Sequence, residues 1–326
     1  MKIDSRRRKV VSGMVAAPLA FSASRVLAQT DTPLTIVLTV PAGSSLDALA
    51  RMLAERMRVA LNRTVIVESR PGAGGLVAIQ YLKKQKADGS FLLMAPNSSI
   101  SLLPLFTSKP TFELEELYPV VDCTSAPMAI TVNTASGLET LQEYFESVRK
   151  DPVQGSIGVP SATSLMAPLV FQLGRELKLP LQTVAYRGGA PLLADLLGNQ
   201  IPASGSIIPD YLEHHRAGKL KILAVASQSR SVLAPDIPTF AEAGVPGYDA
   251  ITFFSMYARA GVPEKLATQY AEIVTEALHS EEIKGTLHRM GLVPEGGTSA
   301  ELLQKIRANR ERWAPVIKEA GIRMDG

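Results

Sequence analysis

The sequence predicts an α/β fold in which mostly parallel sheets are flanked by helices, and three observations carry that expectation. From Pro33 onward, short apolar β-like runs alternate with longer helical patterns. The runs are apolar on both faces, as strands covered by helices on either side must be. The last quarter differs, because a long aromatic run at Thr252–Ala258 is followed by an almost wholly helical tail.

The elements follow in order. Thr35–Val40 reads as the first strand and breaks at Pro41-Ala42-Gly43-Ser44-Ser45. A helix over 46–61 comes next, with Leu46, Leu49, Leu53, Met57 and Leu61 holding the helical period. Thr64–Val67 precedes a helix over Leu76–Lys86, and Phe91–Ala95 precedes another near Ile100–Phe106. Ala129–Asn133, Gly155–Val159, Thr183–Ala185, Ala203–Ile207 and Leu220–Ala226 read as strands, with helices over 138–149, 168–178 and 191–197 among them. Pro191 suits the first turn of the last of these, and Gly198 follows its final apolar residue. Whether the middle one starts at Ser164 or Pro168 stays open, since proline cannot donate a backbone hydrogen bond. After Pro263 the helices run over Glu264–Ser280, Glu281–Met290 and Ser299–Ala320.

Residues 1–28 stand apart as an export signal. Arg6-Arg7-Arg8-Lys9 forms a basic start, Val10–Ser24 a short apolar run of small residues, and Val26-Leu27-Ala28 a peptidase site with cleavage after Ala28. Arg7-Arg8-Lys9-Val10-Val11 also resembles a twin-arginine signal, with an ordinary secretory signal as the alternative. The segment carries six basic residues against Asp4, a net of +5, so the whole-chain charge of +3 becomes −2 beyond it. Global charge therefore gives no argument for nucleic acid or an anionic membrane. An anionic ligand would have to be captured locally. The remaining 298 residues suit two domains. Cys123, the single cysteine, lies among apolar residues and reads as a buried thiol with no disulfide partner.

The motifs exclude more chemistry than they assign. No Gly-x-Ser-x-Gly elbow, His-Glu-x-x-His or Cys-x-x-Cys occurs. Asp210 and His214 are four apart and would share a helix face, but two ligands make a sparse metal set, and Glu213–Arg216 reads as a solvated helix end before Gly218. No metal and no cofactor are expected. Arg70-Pro71-Gly72-Ala73-Gly74-Gly75 lies between a strand and a helix, yet Val77 stands where the dinucleotide pattern needs its third glycine. These glycines read as a tight turn with close backbone packing.

Four strand-to-helix loops are small, polar and poor in bulky charge: Pro41–Ser45, Asn97-Ser98-Ser99, Ser161-Ala162-Thr163-Ser164 and Arg187-Gly188-Gly189. Such loops lie at the carboxyl ends of strands, where α/β sheets bind ligands. Free N–H groups at helix starts bind carboxylates without a lysine. Ser44-x-x-Asp47 also fits a capping box, which would satisfy part of the first terminus and leave it holding nothing.

Taken together, the segments resemble the Bug-type solute receptors of tripartite tricarboxylate transport systems over essentially the whole exported chain. The resemblance rests on Pro41-Ala42-Gly43 with Asp47 and Arg51, Val67 through Gly75, Asp88-Gly89, and Ala185-Tyr186-Arg187-Gly188. It continues through Asp195–Gln200, Ala217–Leu220 with Leu223-Ala224-Val225, Pro235–Thr239, Glu242-Ala243-Gly244, Pro246-Gly247-Tyr248 and Trp313. It implies a two-lobed periplasmic binding protein of type II-like architecture with its cleft between the lobes. Residues 29–128 with 251–326 would form one lobe and 129–250 the other. The implied function is capture of a small organic carboxylate and delivery to membrane transporter subunits, without catalysis, by a monomer in the periplasm. A ligand sensor on the same fold, or an exported α/β hydrolase, are the alternatives. Mapped onto this chain, Gly43, Ser44 and Ser45, with Asn97 and Ser98, would bind from the first lobe. Ser161, Ala162, Thr163 and Ser164, with Tyr186 and Arg187, would bind from the second. Departures from the family pattern are Ser44 for a glycine, Met166 and Thr183 for histidines, and Arg187 for a lysine. They point to a pocket with fewer titratable groups and a more apolar wall, suited to a carboxylate with an apolar or aromatic body, unless Met166 merely fills core.

Overall fold

The computed structural model describes residues 32–107, 110–231 and 234–323. The expected export signal, its cleavage point and the twin-arginine pair lie outside the described residues.

The alternation read from the sequence is present. Strand β1 (Leu34–Leu38) leads into helix α1 (Ser45–Leu61), then β2 (Val65–Ser69), α2 (Leu76–Lys83) and β3 (Phe91–Pro96). A π turn at Ser98–Leu102 and a 3-10 turn at Leu103–Phe106 occupy the place of the short helix expected there. Strand β4 (Leu117–Asn133) follows, then α3 (Leu141–Lys150), β5 (Ser156–Val159), α4 (Met166–Leu177), β6 (Gln182–Ala185), α5 (Gly189–Leu197), β7 (Ala203–Ile207), α6 (Leu212–Arg216) and β8 (Leu220–Val225). The chain ends through β9 (Ile251–Arg259), α7 (Glu264–His279), α8 (Glu281–Met290), β10 (Val293–Gly296) and α9 (Ser299–Ala320).

The sheet is mixed, which corrects the expectation of mostly parallel sheets. Its strand order is β2-β1-β3-β9-β4-β7-β5-β6, with β8 and β10 also paired to β4. β1 pairs in parallel with β2 and β3, and β5 pairs in parallel with β6 and β7, each through a helical crossover. Every pairing of β4 and β9 is antiparallel. These two strands run back through the middle of the sheet, so they join the parallel sets at either side.

Pairing along β4 changes partner at one point. Residues up to Pro127 pair with β9, and residues from Met128 pair with β7 and β8. There the main chain is tied threefold: Met128 N donates to Ala250 O, Ala226 N to Met128 O, and Ala250 N to Ala226 O, at 2.8–2.9 Å. The sequence revealed only Ala129–Asn133 of this strand, because Pro119, Asp122 and Pro127 interrupt its β pattern. The register shifts at Pro119/Val121 and Asp122/Thr124, where bulges accommodate what a regular ladder would reject.

Helix α1 shows how pattern becomes packing. Leu46, Leu49, Leu53 and Met57 are all buried, and full burial of each such side chain contributes about 1.5–3 kcal/mol. Cys123 is fully buried, and burial pushes its thiol well above the ordinary value, so it is an unreactive core residue. Helix α4 starts at Met166, between the two starts left open by the sequence. Pro168 falls in its first turn, where a missing N–H leaves no intrahelical bond unmade. Met166 is fully buried and packs so closely on Gly205 that a Cβ there would come within 2.4 Å of its Cγ. It is a core residue, so the apolar wall expected from it is not formed by it.

Candidate functional site

A cavity of about 720 Å³ lies where the carboxyl ends of β1, β2, β3, β5, β6 and β7 converge. The starts of α1, α2, α4 and α5 and the π turn after β3 all border it. This is the crevice in which α/β sheets hold ligands.

The β1–α1 loop is built around its cap. Ser44 Oγ accepts from Asp47 N at 3.2 Å, and Asp47 reaches back to Gly43 N at 3.0 Å. Ala48 N bonds Ser44 O, which leaves the Ser45 and Leu46 N–H groups without an intrahelical acceptor at the cavity. Asp47 would oppose an anion here, but Arg51 pairs with it at 3.0 Å. Its burial raises the carboxyl's pKa, and the Arg51 and Gly43 hydrogen bonds outweigh that and hold it below the usual value. Capping and an open anion-facing terminus therefore coexist.

Across the cavity, Ser164 N donates to Ser161 O, while Ser164 O and Oγ accept from Ala167 N and Met166 N. The N–H groups of Ala162 and Leu165, both in the wall, have no such partner among the described residues. In the β6–α5 loop, Gly188 N bonds Pro160 O at 2.9 Å and Gly188 takes φ +113°, which aims the start of α5 at the cavity. Arg187 lines the cavity with no hydrogen bond or ion pair among the described residues. The Tyr186 hydroxyl is committed to Asp195 at 2.8 Å, so this residue offers the cavity its ring and backbone.

Of the residues singled out from the sequence, Ser44, Ser45, Ser98, Ser161, Ala162, Ser164, Tyr186 and Arg187 line the cavity. Gly43, Asn97 and Thr163 do not, each for a local reason. Gly43 sits in an exposed turn with its N–H held by Asp47. Asn97 is buried and stitches β3 to β9, through Ile251 O and Phe253 N at 3.4 Å. Thr163 is buried against Gly74, where a Cβ would lie 2.7 Å from its Oγ1.

Among the described residues, three contacts bridge the rim of the cavity between the strand sets on either side of the β4 partner change, in addition to those behind it such as Arg175 with Glu319 and Arg216 with Arg289 O. The three at the rim are Thr163 against Gly74, Gly188 against Pro41, and Ser45 Oγ donating to Asp210 Oδ1 at 3.4 Å.

Several wall residues escaped the sequence reading. The Pro71–Gly75 loop forms one side, and its glycines serve the turn they were assigned while also letting that loop approach Thr163 and Ser99. Thr39 is 5% exposed, and its Oγ1 lacks a partner among the described residues. Ser206 lies near the end of β7 and Asp210 just beyond it; Ser206 Oγ donates to Asp210 Oδ2 at 2.5 Å. Desolvation dominates at Asp210 and pushes its pKa up to about 6 despite the two serine bonds. A usable signal existed: Ser206 and Asp210 stand at the end of a strand, where ligand loops belong. The spacing of Asp210 and His214 drew attention to a metal instead. His215 meanwhile bonds Asp236 at 3.3 Å, and no group of three or more His, Cys, Asp or Glu residues able to hold a metal occurs among the described residues. Among the same residues no helix is long and apolar enough to cross a membrane.

Comparison with known proteins gives this geometry relatives. Residues 49–322 match the family described as tripartite tricarboxylate transporter family receptor. The protein BugT of Bordetella pertussis is 30% identical over 299 residues, covering 90% of each chain. The structure of the periplasmic binding protein BugD superposes with a TM-score of 0.82 at 26% identity, covering 89% of this chain and 98% of that one. An R. palustris protein solved with adipate superposes at 0.85 and 25% identity with the same coverage.

Proposed function

The chain belongs to the tripartite tricarboxylate transporter receptor family and is a solute-binding receptor, and we propose that its solute is a small organic carboxylate, held in the cavity between two lobes in the periplasm. The lobes divide at 128/129 and 250/251. Closure brings the N–H groups at the starts of α1, α4 and α5 around the ligand carboxylate, with Arg187 as the available cation. The closed form is then presented to membrane transporter subunits. The export signal read at residues 1–28 and the periplasmic relative support the compartment. The relative solved with adipate supports the acid.

One observation carries the reading: opposed helix starts with unused N–H groups share a single cavity with Arg187, which has no pair among the described residues. A wall of this kind stabilises negative charge through main-chain donors. The hinge is the threefold main-chain tie at Ala226, Met128 and Ala250. Ligand contacts to both lobes shift the population toward the closed form.

Thermal-shift screening against small organic acids tests this. The wild-type chain is expected to be stabilised by at least one acid. Ser45→Trp, which fills the α1 side of the cavity, removes that stabilisation, and Arg187→Gln weakens binding about tenfold or more, as expected for loss of a charge-assisted bond. Full retention of the response in both variants would place the ligand elsewhere.

A further inference from the structure

The corner of the cavity around Asp210 has the wrong polarity for a carboxylate. An ionised carboxylate only accepts hydrogen bonds, so Ser45 and Ser206 must both donate to it. Each hydroxyl has a single proton, and with that proton committed it turns only lone pairs toward the cavity. Asp210 has about four acceptor positions and the serines fill two. No basic side chain pairs with it among the described residues. The side chains of this corner therefore present two serine oxygens and the open positions of the carboxylate as acceptors, with one negative charge and no side-chain donor left free among the described residues. Gly189 lies beside it, its Cβ position 3.8 Å from Oδ2, so the Arg187 loop and this corner are neighbours in one wall. The cavity thus combines main-chain donors suited to a carboxylate with an acceptor-rich set of side chains suited to a donor, the two meeting at Ser45.

We propose that Asp210 is a specificity-determining residue, selecting organic acids that carry an amine or hydroxyl donor in addition to the carboxylate and discriminating against the unsubstituted acids. The inference rests on the carboxylate reading above and names the substrate class of that site. A buried acceptor left without a donor is costly, so an acid lacking the donor binds poorly even where its shape fits. Because Asp210 also bridges to Ser45 of the other lobe, a ligand donor that engages it reinforces a contact present only when the lobes are together.

The test uses isothermal titration of matched triads, such as succinate, malate and aspartate, or phenylpropionate, phenyllactate and phenylalanine, on the wild-type chain and Asp210→Asn. Within at least one triad, the wild-type chain should bind the hydroxy acid about tenfold and the amino acid about a hundredfold more tightly than the unsubstituted acid. Asp210→Asn should reduce the amine preference most, since the charge is lost while an acceptor oxygen remains. Equal affinity across every triad that binds would overturn the inference and leave the carboxylate reading standing. Binding of no acid at all would overturn both.

Should Asp210→Asn not fold, the pH dependence of wild-type preference decides the matter. The groups facing Asp210 are the Ser45 hydroxyl from α1, where Asp47 is paired with Arg51, and Ser206 and Tyr211 beside the end of β7. The β6–α5 loop adds Tyr186 and Arg187, and α6 carries His214 and His215, neither of which lines the cavity. The amine preference should narrow as pH falls through about 6, where Asp210 becomes neutral. A preference unchanged across that range would count against Asp210 as its source.

Discussion

Asp210 concentrates the conflict between stability and binding in one side chain. Its pKa is about 6 in the folded chain against an ordinary 3.8, because desolvation outweighs the Ser206 and Ser45 bonds. The folded state therefore binds this proton more tightly than the unfolded state does. The cost of ionising it in the fold is absent below the unfolded value and complete above about pH 6, so this group lowers stability as pH rises between the two. The difference corresponds to about 3 kcal/mol at neutral pH. Asp210→Asn should thus raise the stability of the ligand-free protein at pH 7 by about 1–3 kcal/mol, with little change near pH 4. Urea denaturation at both pH values checks this; a variant less stable than wild type at pH 7 would show that the carboxylate is structural. The same substitution is expected to weaken selection of the ligand, a trade of function for stability common at binding sites.

At the scale of elements, the Pro71–Gly75 loop and the Ser161–Ser164 loop meet as a seam. Gly74 has φ +66° and no room for a side chain, since Thr163 Oγ1 would stand 2.7 Å from its Cβ. Gly74→Val is expected to wedge the seam open, weakening ligand binding tenfold or more while far-UV circular dichroism stays as in wild type; the left-handed backbone adds about 1–2 kcal/mol of strain. Unchanged affinity would show that the seam is not closed in the bound state. The helices were legible in the sequence because their burial follows the helical period: α7, α8 and α9 lie within a residue of the expected spans, and α1 begins at the residue its cap implied. Strands were legible where one apolar run made one strand, as at Ala203–Ile207. Long β4 was not, because prolines and bulges conceal its first half, and β10 was not, because Pro294 and Gly296 leave a four-residue strand with no β signature. At the site, the serine loops could be read from helix-start chemistry alone. Asn97 and Thr163 share that chemistry but turn inward to stitch β9 and pack on Gly74, an outcome set by tertiary neighbours that no local spacing records.

At the scale of the whole molecule, two parallel strand sets are joined through β4 and β9, and the partner change at residues 127 and 128 falls beside the threefold main-chain tie. On the two-lobe reading proposed above, the sets would move as units about this point, with their strand ends facing one cavity. A ligand that touches both sides of the cavity then adds to the three rim contacts and favours the closed form. Net charge contributes little, because the chain beyond residue 28 carries only −2. Capture, on the proposed reading, would then depend on the local field of helix starts and Arg187. The most direct measurement is native mass spectrometry of the exported protein purified from its own host, alongside Ser45→Trp prepared in the same way. The account predicts one small organic acid retained per wild-type chain and absent from the variant. A retained molecule without a carboxylate, or equal occupancy in the two proteins, would contradict it.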